Sequence, residues 1–140
     1  MINQTENDLI VSAIQKAEEQ TSGEIRVHID KKCSTDPVKR AIRVFENLSM
    51  HKTALRNGVL IYVSFSDRKL AIIGDQGIDA VVPSDFWVST KNQMIHHFKE
   101  NRFADGIIAA ITVAGMQLKS YFPHLENDTN ELSNEISTEA

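Results

Sequence analysis

Residues Asn57 to Asp79 read NGVLIYVSFSDRKLAIIGDQGID, and the fold is decided there. Val59 to Phe65 is a short, almost uninterrupted apolar run rich in β-branched and aromatic residues, the pattern of a strand buried on both faces. Ser66-Asp67-Arg68 supplies turn chemistry, and Lys69 to Ile73 resumes as a second apolar run, so the pair is expected to form an antiparallel hairpin. The second run ends at Gly74-Asp75-Gln76-Gly77-Ile78-Asp79. Two glycines leave the backbone free to take positive φ, and two carboxylates sit beside them on a loop that the sheet holds in place.

Working outward, Glu24 to Asp30 alternates strictly, with Ile25, Val27 and Ile29 on one side and Arg26, His28 and Asp30 on the other. That predicts a strand with one wetter face. Before it, Thr5 to Asp8 offers a capping-box-like helix start, and Ile10, Ala13, Ile14 and Ala17 follow at helical spacing. Asp36-Pro37 is a cap followed by proline at the first helical position, with a second apolar stripe from Val38 to Leu48. After the hairpin, Ser84 caps a predicted helix carrying Trp87, Met94 and Phe98, which Asn101-Arg102 breaks. Phe103 to Phe122 is a last helix stopped by Pro123, with Gly115 expected to mark close approach to a neighbour. Helices before and after a small sheet predict an α/β fold: a three-layer α/β/α sandwich with a small mixed β-sheet and about four helices.

The chain is one domain of ordinary size, expected to span 1–124. Its net charge of −4 comes from the end of the sequence, because nothing after Lys119 is Lys or Arg while Glu126, Asp128, Glu131, Glu135 and Glu139 are acidic. The body is nearly neutral, so no nucleic-acid or anionic-membrane footprint is expected. No apolar stretch approaches the ~18 residues that span a bilayer, and the first residues lack an apolar leader, which predicts a cytoplasmic, non-inserted protein. A single cysteine, Cys33, allows no internal disulfide. Residues 125–140 read as an acidic, mobile tail, and NELSNEIS within it as a docking segment for a protein partner. The domain itself is expected to be monomeric.

Four segments together resemble the TPM domain family: TSGEIRV (Thr21 to Val27), RNGVLIYV (Arg56 to Val63), DRKLAIIGDQGI (Asp67 to Ile78) and FADGI (Phe103 to Ile107). The resemblance runs from about Asp8 to Pro123 and is narrowest to the small, stand-alone, soluble bacterial form. It implies an accessory domain with carboxylate-lined loops, and a phosphatase activity proposed for some members. On the residues, Asp75 and Asp79 flank one turn. If the strand from Glu24 runs parallel to the first hairpin strand, Glu24 reaches the same edge. Asp105 and Asp85 are more distant candidates. These five are the expected ligands of a divalent cation, calcium first and magnesium as the alternative, because hard cations take carboxylate and carbonyl oxygens. From spacing alone, Asp75 and Asp79 read equally well as turn residues bonding their own backbone.

The expected role is regulatory or interaction-based rather than catalytic. A metal-dependent phosphatase is the alternative, with cations at Asp75 polarising phosphate. Cys33 and Arg40 do not make a cysteine phosphatase loop: six residues separate them where five are needed, and STDPVK has no glycine to bring N–H groups onto a phosphate. His96-His97 are adjacent on a helix and point apart, Trp87 with Met94 and Phe98 reads as core, and Arg56-Asn57 is expected to order the entry to the first hairpin strand.

Overall fold

The computed structural model describes residues 2–125 and 132–138. The elements are α1 (Gln4–Glu18), β1 (Glu24–Asp30), α2 (Pro37–Asn47), a 3-10 turn (Met50–Lys52), β2 (Gly58–Ser64), β3 (Lys69–Gly74), a one-turn α3 (Gln76–Asp79), α4 (Val88–Lys99), α5 (Phe103–Lys119) and β4 (Ser137–Thr138). The sheet order is β3-β2-β1-β4, with β2 antiparallel to β3 and parallel to β1. This is the mixed-sheet α/β/α sandwich the sequence predicts, with short α3 as an added helix.

β2 is buried at every position, and alternation divides its side chains between two layers. Val59, Ile61 and Val63 join Ile25, Val27 and Ile29 beneath α1, α4 and α5, where Ile10, Ile14, Met94, Ile107 and Ile111 complete the larger core. Leu60 and Tyr62 face the other way, toward Ala41, Val44 and Phe45 of α2. Each such side chain, fully buried, contributes about 1.5–3 kcal/mol before entropy is counted. The helix stripes supply the lids of these two layers.

Several local expectations are corrected. The cap of α1 is Asn3, which accepts from the Glu6 N–H while the Glu6 side chain returns to the Asn3 N–H, so the capping box lies two residues earlier than Thr5. α4 begins at Val88 with no side-chain cap, because Pro83 to Trp87 forms a turn that lodges Phe86 in the core. The segment after Gly74 is helical rather than open loop, and no glycine has positive φ among the described residues. Gly77 is there for space instead: a Cβ would stand 2.3 Å from the Leu55 carbonyl oxygen and 2.6 Å from that of Arg56, whose oxygen the Gly77 N–H reaches at 2.9 Å. Gly115 does mark a close approach, since its Cβ would sit 2.9 Å from Ala17 Cβ on α1.

The wetter face of β1 is not wet. His28 and Asp30 are buried, partly by residues 132–138, which the sequence places in a mobile tail beyond the domain. Here Ser137–Thr138 pairs in parallel with His28 and Ile29, Leu132 packs in the α2 layer, Ile136 packs on the larger core, and the Leu132 N–H donates to Glu24 Oε1 at 3.0 Å. This part of the expected docking segment lies on its own sheet. The remainder of the expected tail, 126–131 and 139–140, lies outside the described residues. No helix among the described residues is long and apolar enough to cross a membrane.

Candidate functional site

Three features of the chain bring Asp75 to a cleft. β3 returns antiparallel to β2 and ends beside its start, where the Asp75 N–H donates to the Gly58 carbonyl at 2.9 Å. Asp75 then caps α3, with Oδ1 accepting from the Gln76 N–H at 2.8 Å. One turn later α3 presents Asp79. The cleft so formed has a volume of about 610 Å³ and is lined by α2, the end of β3, Arg56, His51 and Trp87 as well as both aspartates.

Arg56 dominates its electrostatics. Nε and Nη2 donate to the two oxygens of Asp75 at 2.7 and 2.9 Å, a bidentate pair. The hydrogen bonds from this guanidinium use both Asp75 oxygens, and they, with the Asp75 charge, raise the Arg56 pKa against the effect of burial. Arg56 achieves this with φ of 51°, a left-handed backbone that is uncommon for a side-chain-bearing residue. Asn57 continues the same job, its Nδ2 donating to the Ser22 carbonyl at 3.2 Å while its own carbonyl accepts from the Glu24 N–H. Arg56-Asn57 thus orders the strand entry as expected and, beyond that expectation, neutralises Asp75.

Asp79 has no ion pair among the described residues. Burial raises its pKa, and the Asp75 charge raises it further. Two carboxylates therefore repel across one wall of the cleft with a single counter-charge between them.

The other expected ligands lie elsewhere. Glu24 does start at the same sheet edge, since β1 runs parallel to β2 with Glu24 opposite Gly58. Its side chain, however, lines a separate cavity with Gln15, Glu18 and Asn134. Asp105 is exposed on the first turn of α5, paired with Arg102 at 3.2 Å, in a cavity at the hairpin-tip end of the sheet. Asp85 is exposed in the turn before α4. Of the five, only Asp75 and Asp79 share a cleft, and no cluster of three metal-ligating side chains exists among the described residues. Sequence reasoning passed over Glu46, His51 and Trp87 as cleft residues. Trp87 read as core by its helical spacing, and the others carry no pattern that would single them out.

A second polar centre, also passed over, lies beneath α2. Asp30 Oδ2 accepts from Arg40 Nε at 2.8 Å and from the Tyr62 hydroxyl at 2.7 Å, and Oδ1 lies 2.6 Å from His28 Nε2. Burial alone would raise this carboxyl, but the hydrogen bonds from Arg40, Tyr62 and His28 outweigh it and hold the pKa at about 2. Tyr62 is pushed up in turn, by burial and by Asp30. Arg40 is thereby directed to Asp30, and Cys33 is buried with Sγ toward the Thr35 carbonyl, so neither is arranged around a phosphate. At the hairpin tip, hydrogen bonds from Ser64 and from the Cys33 N–H lower the Asp67 pKa, and Arg68 reaches Asn101 at 2.7 Å.

The family model of the TPM domain matches residues 1–117. Among solved structures, the chain is similar to the NMR structure of the BA42 protein from the psychrophilic bacterium Bizionia argentinensis, with 46% identity and a TM-score of 0.94 over 99% of this chain and 96% of that one. Two more distant neighbours share the fold. The N-terminal domain of a P. gingivalis protein is 13% identical, with a TM-score of 0.72 over 90% of this chain and 82% of that one. The N-terminal domain of the cg2496 protein of Corynebacterium glutamicum is 12% identical, with a TM-score of 0.66 over 97% and 80%. No curated protein sequence matches the chain.

Proposed function

The chain belongs to the TPM domain family, and from that premise we propose that it is a divalent-cation-responsive regulatory domain whose ion, calcium first and magnesium second, is taken at the Asp75–Asp79 wall of the cleft. The observation that supports this is the pair of carboxylates on one wall of the cleft, where Asp79, its pKa raised by burial and further by the Asp75 charge, has no cation of its own among the described residues. A divalent ion supplies charge neutralisation there. Asp79 would hold it together with Asp75, with water and carbonyl oxygens filling the remaining positions that hard cations require.

The donor set fits with one condition. Both oxygens of Asp75 accept from Arg56, so the ion must compete with a guanidinium that already plays the cation's part. That competition makes the site responsive, because binding would release Arg56 from Asp75 and so alter the strained loop it closes. The regulatory role rests on this exchange.

A titration of metal-free protein with calcium, and in parallel with magnesium, followed by backbone amide NMR, tests the reading. Amides from Gly74 to Asp79 should shift saturably at calcium concentrations of roughly 10⁻⁶ to 10⁻⁵ M, the range of sensing sites. Asp79→Asn should weaken binding about tenfold or more, and Arg56→Gln should tighten it, since removing the competitor leaves Asp75 uncompensated. Unchanged affinity in Asp75→Asn and Asp79→Asn would remove the ion from this wall. Turnover of a generic phosphate ester that needs both the ion and Asp75 would make the site a metal-dependent phosphatase instead.

A further inference from the structure

The two edges of the sheet differ. The outer edge of β1 carries β4, whereas β3 has no strand beyond it among the described residues. Antiparallel pairing alternates hydrogen-bonded and non-hydrogen-bonded residue pairs, and the bond from the Asp75 N–H to the Gly58 carbonyl sets the phase. Ile73, Ala71 and Lys69 therefore bond inward to β2. Leu70, Ile72 and Gly74 turn their N–H and C=O groups outward, where none meets a partner among the described residues.

This edge lacks the usual protection against pairing. No proline interrupts Lys69–Gly74, and its register with β2 is continuous. The one charge, Lys69, is turned to the Cys33 and Thr35 carbonyls at 2.9 and 3.4 Å. The cleft runs against the same edge, with Ile72 and Gly74 in its lining beside Ile42 and Phe45 of α2. Its charge is negative: Arg56 is spent on Asp75, while Glu46 and Asp79 have no ion pair among the described residues. Two shielded polar atoms of cleft residues, Trp87 Nε1 and His51 Nδ1, have no hydrogen-bond partner among the described residues.

We propose that the free edge of β3 takes an extended, basic segment of another protein as an added strand. Backbone groups of that segment would meet Leu70, Ile72 and Gly74, alternate apolar side chains would enter the cleft, and a Lys or Arg would meet Glu46 and Asp79. A second copy offers no complement to this charge, because the edge it would present carries the same acidic cleft and its one cation, Lys69, is turned to the Cys33 and Thr35 carbonyls. The chain's own acidic segment has the wrong sign as well. The proposal does not rest on the cation reading, since the edge and its two carboxylates are present without an ion.

The test uses the full chain in EDTA with an acetylated eight-residue peptide of alternating Val and Lys, read by amide hydrogen exchange. In free protein the Leu70, Ile72 and Gly74 amides should exchange fast, and saturating peptide should slow them by about tenfold or more while Ala71 and Ile73 change little. Glu46→Lys should weaken that protection, and a peptide of alternating Val and Glu should give none. Protection absent at these three amides overturns the proposal, as does equal protection by the Glu peptide. Protection already present in free protein and rising with its concentration would assign the edge to a second copy, and overturns it too. Failure here leaves the calcium titration untouched, because no ion is present.

Discussion

Asp30 is a buried negative charge whose value to the fold can be read from its acidity. Its pKa falls from the ordinary 3.8 to about 2, so the folded state prefers the ionised form. The stabilisation is present in full above pH 3.8 and is lost as pH falls through 2. The shift corresponds to about 2 kcal/mol at neutral pH. Asp30→Asn should therefore lower stability in urea melts at pH 7 by about 2–3 kcal/mol and flatten the acid limb between pH 4 and 2; an unchanged acid limb would show that another carboxyl governs it. Individual residues were unequally legible. Asp75 and Asp79 stood out because carboxylates beside glycines at a strand exit are a local signal. The Arg56–Asp75 pair was not visible, because the partners are 19 positions apart and meet only once the hairpin has closed. Asp30 was read as solvent-facing by alternation, which reports which face a side chain takes and not what later covers that face.

Elements were legible wherever their signal was periodic, and their ends were not. β1, β2, β3 and the four long helices follow from alternation, unbroken apolar runs and apolar stripes, whereas the starts of α1 and α4 do not, because Thr5 and Ser84 have cap chemistry without cap geometry. Gly115 shows the opposite case, in which a residue unfavourable to its own helix signals close packing. Exchanging it for alanine gains about 1 kcal/mol in helix propensity, yet the new Cβ would stand 2.9 Å from Ala17 Cβ and 3.3 Å from Ala17 Cα. A helix backbone cannot yield as a flexible side chain does, and overpacking of this kind costs about 1–3 kcal/mol. Gly115→Leu should accordingly destabilise the protein by at least about 2 kcal/mol in chemical denaturation, and Gly115→Ala by less, since propensity returns part of the loss. A neutral Gly115→Leu would mean that α1 and α5 can separate without cost.

On the scale of the whole molecule, composition misled about the C-terminal segment. Polar, acidic sequence without aromatics argues for a tail, but Leu132 and Ile136 are enough to seat 132–138, one in each core layer, with the His28 Nδ1 to Ser137 Oγ contact at 2.9 Å tying the segment to the Asp30 network. The consequence is a sheet that is asymmetric among the described residues, covered by its own chain at β1 and with no strand beyond β3. Deleting 132–140 should test how firmly the closed edge is held. Two partly buried apolar side chains at about 1 kcal/mol each predict a loss of about 2 kcal/mol with the fold retained. Amide exchange should accelerate along the β1 edge and leave β2 and the inward-bonded Ala71 and Ile73 of β3 protected, because only β1 loses its neighbour. Undiminished stability with unchanged β1 exchange would show that the segment spends its time off the sheet. In that case both edges would stand open, and the basic strand proposed for β3 would have to discriminate between them. Glu46 and Asp79 line the cleft beside β3, so Glu46→Lys should weaken binding at β3 and leave binding at β1 unchanged, which tells the two edges apart.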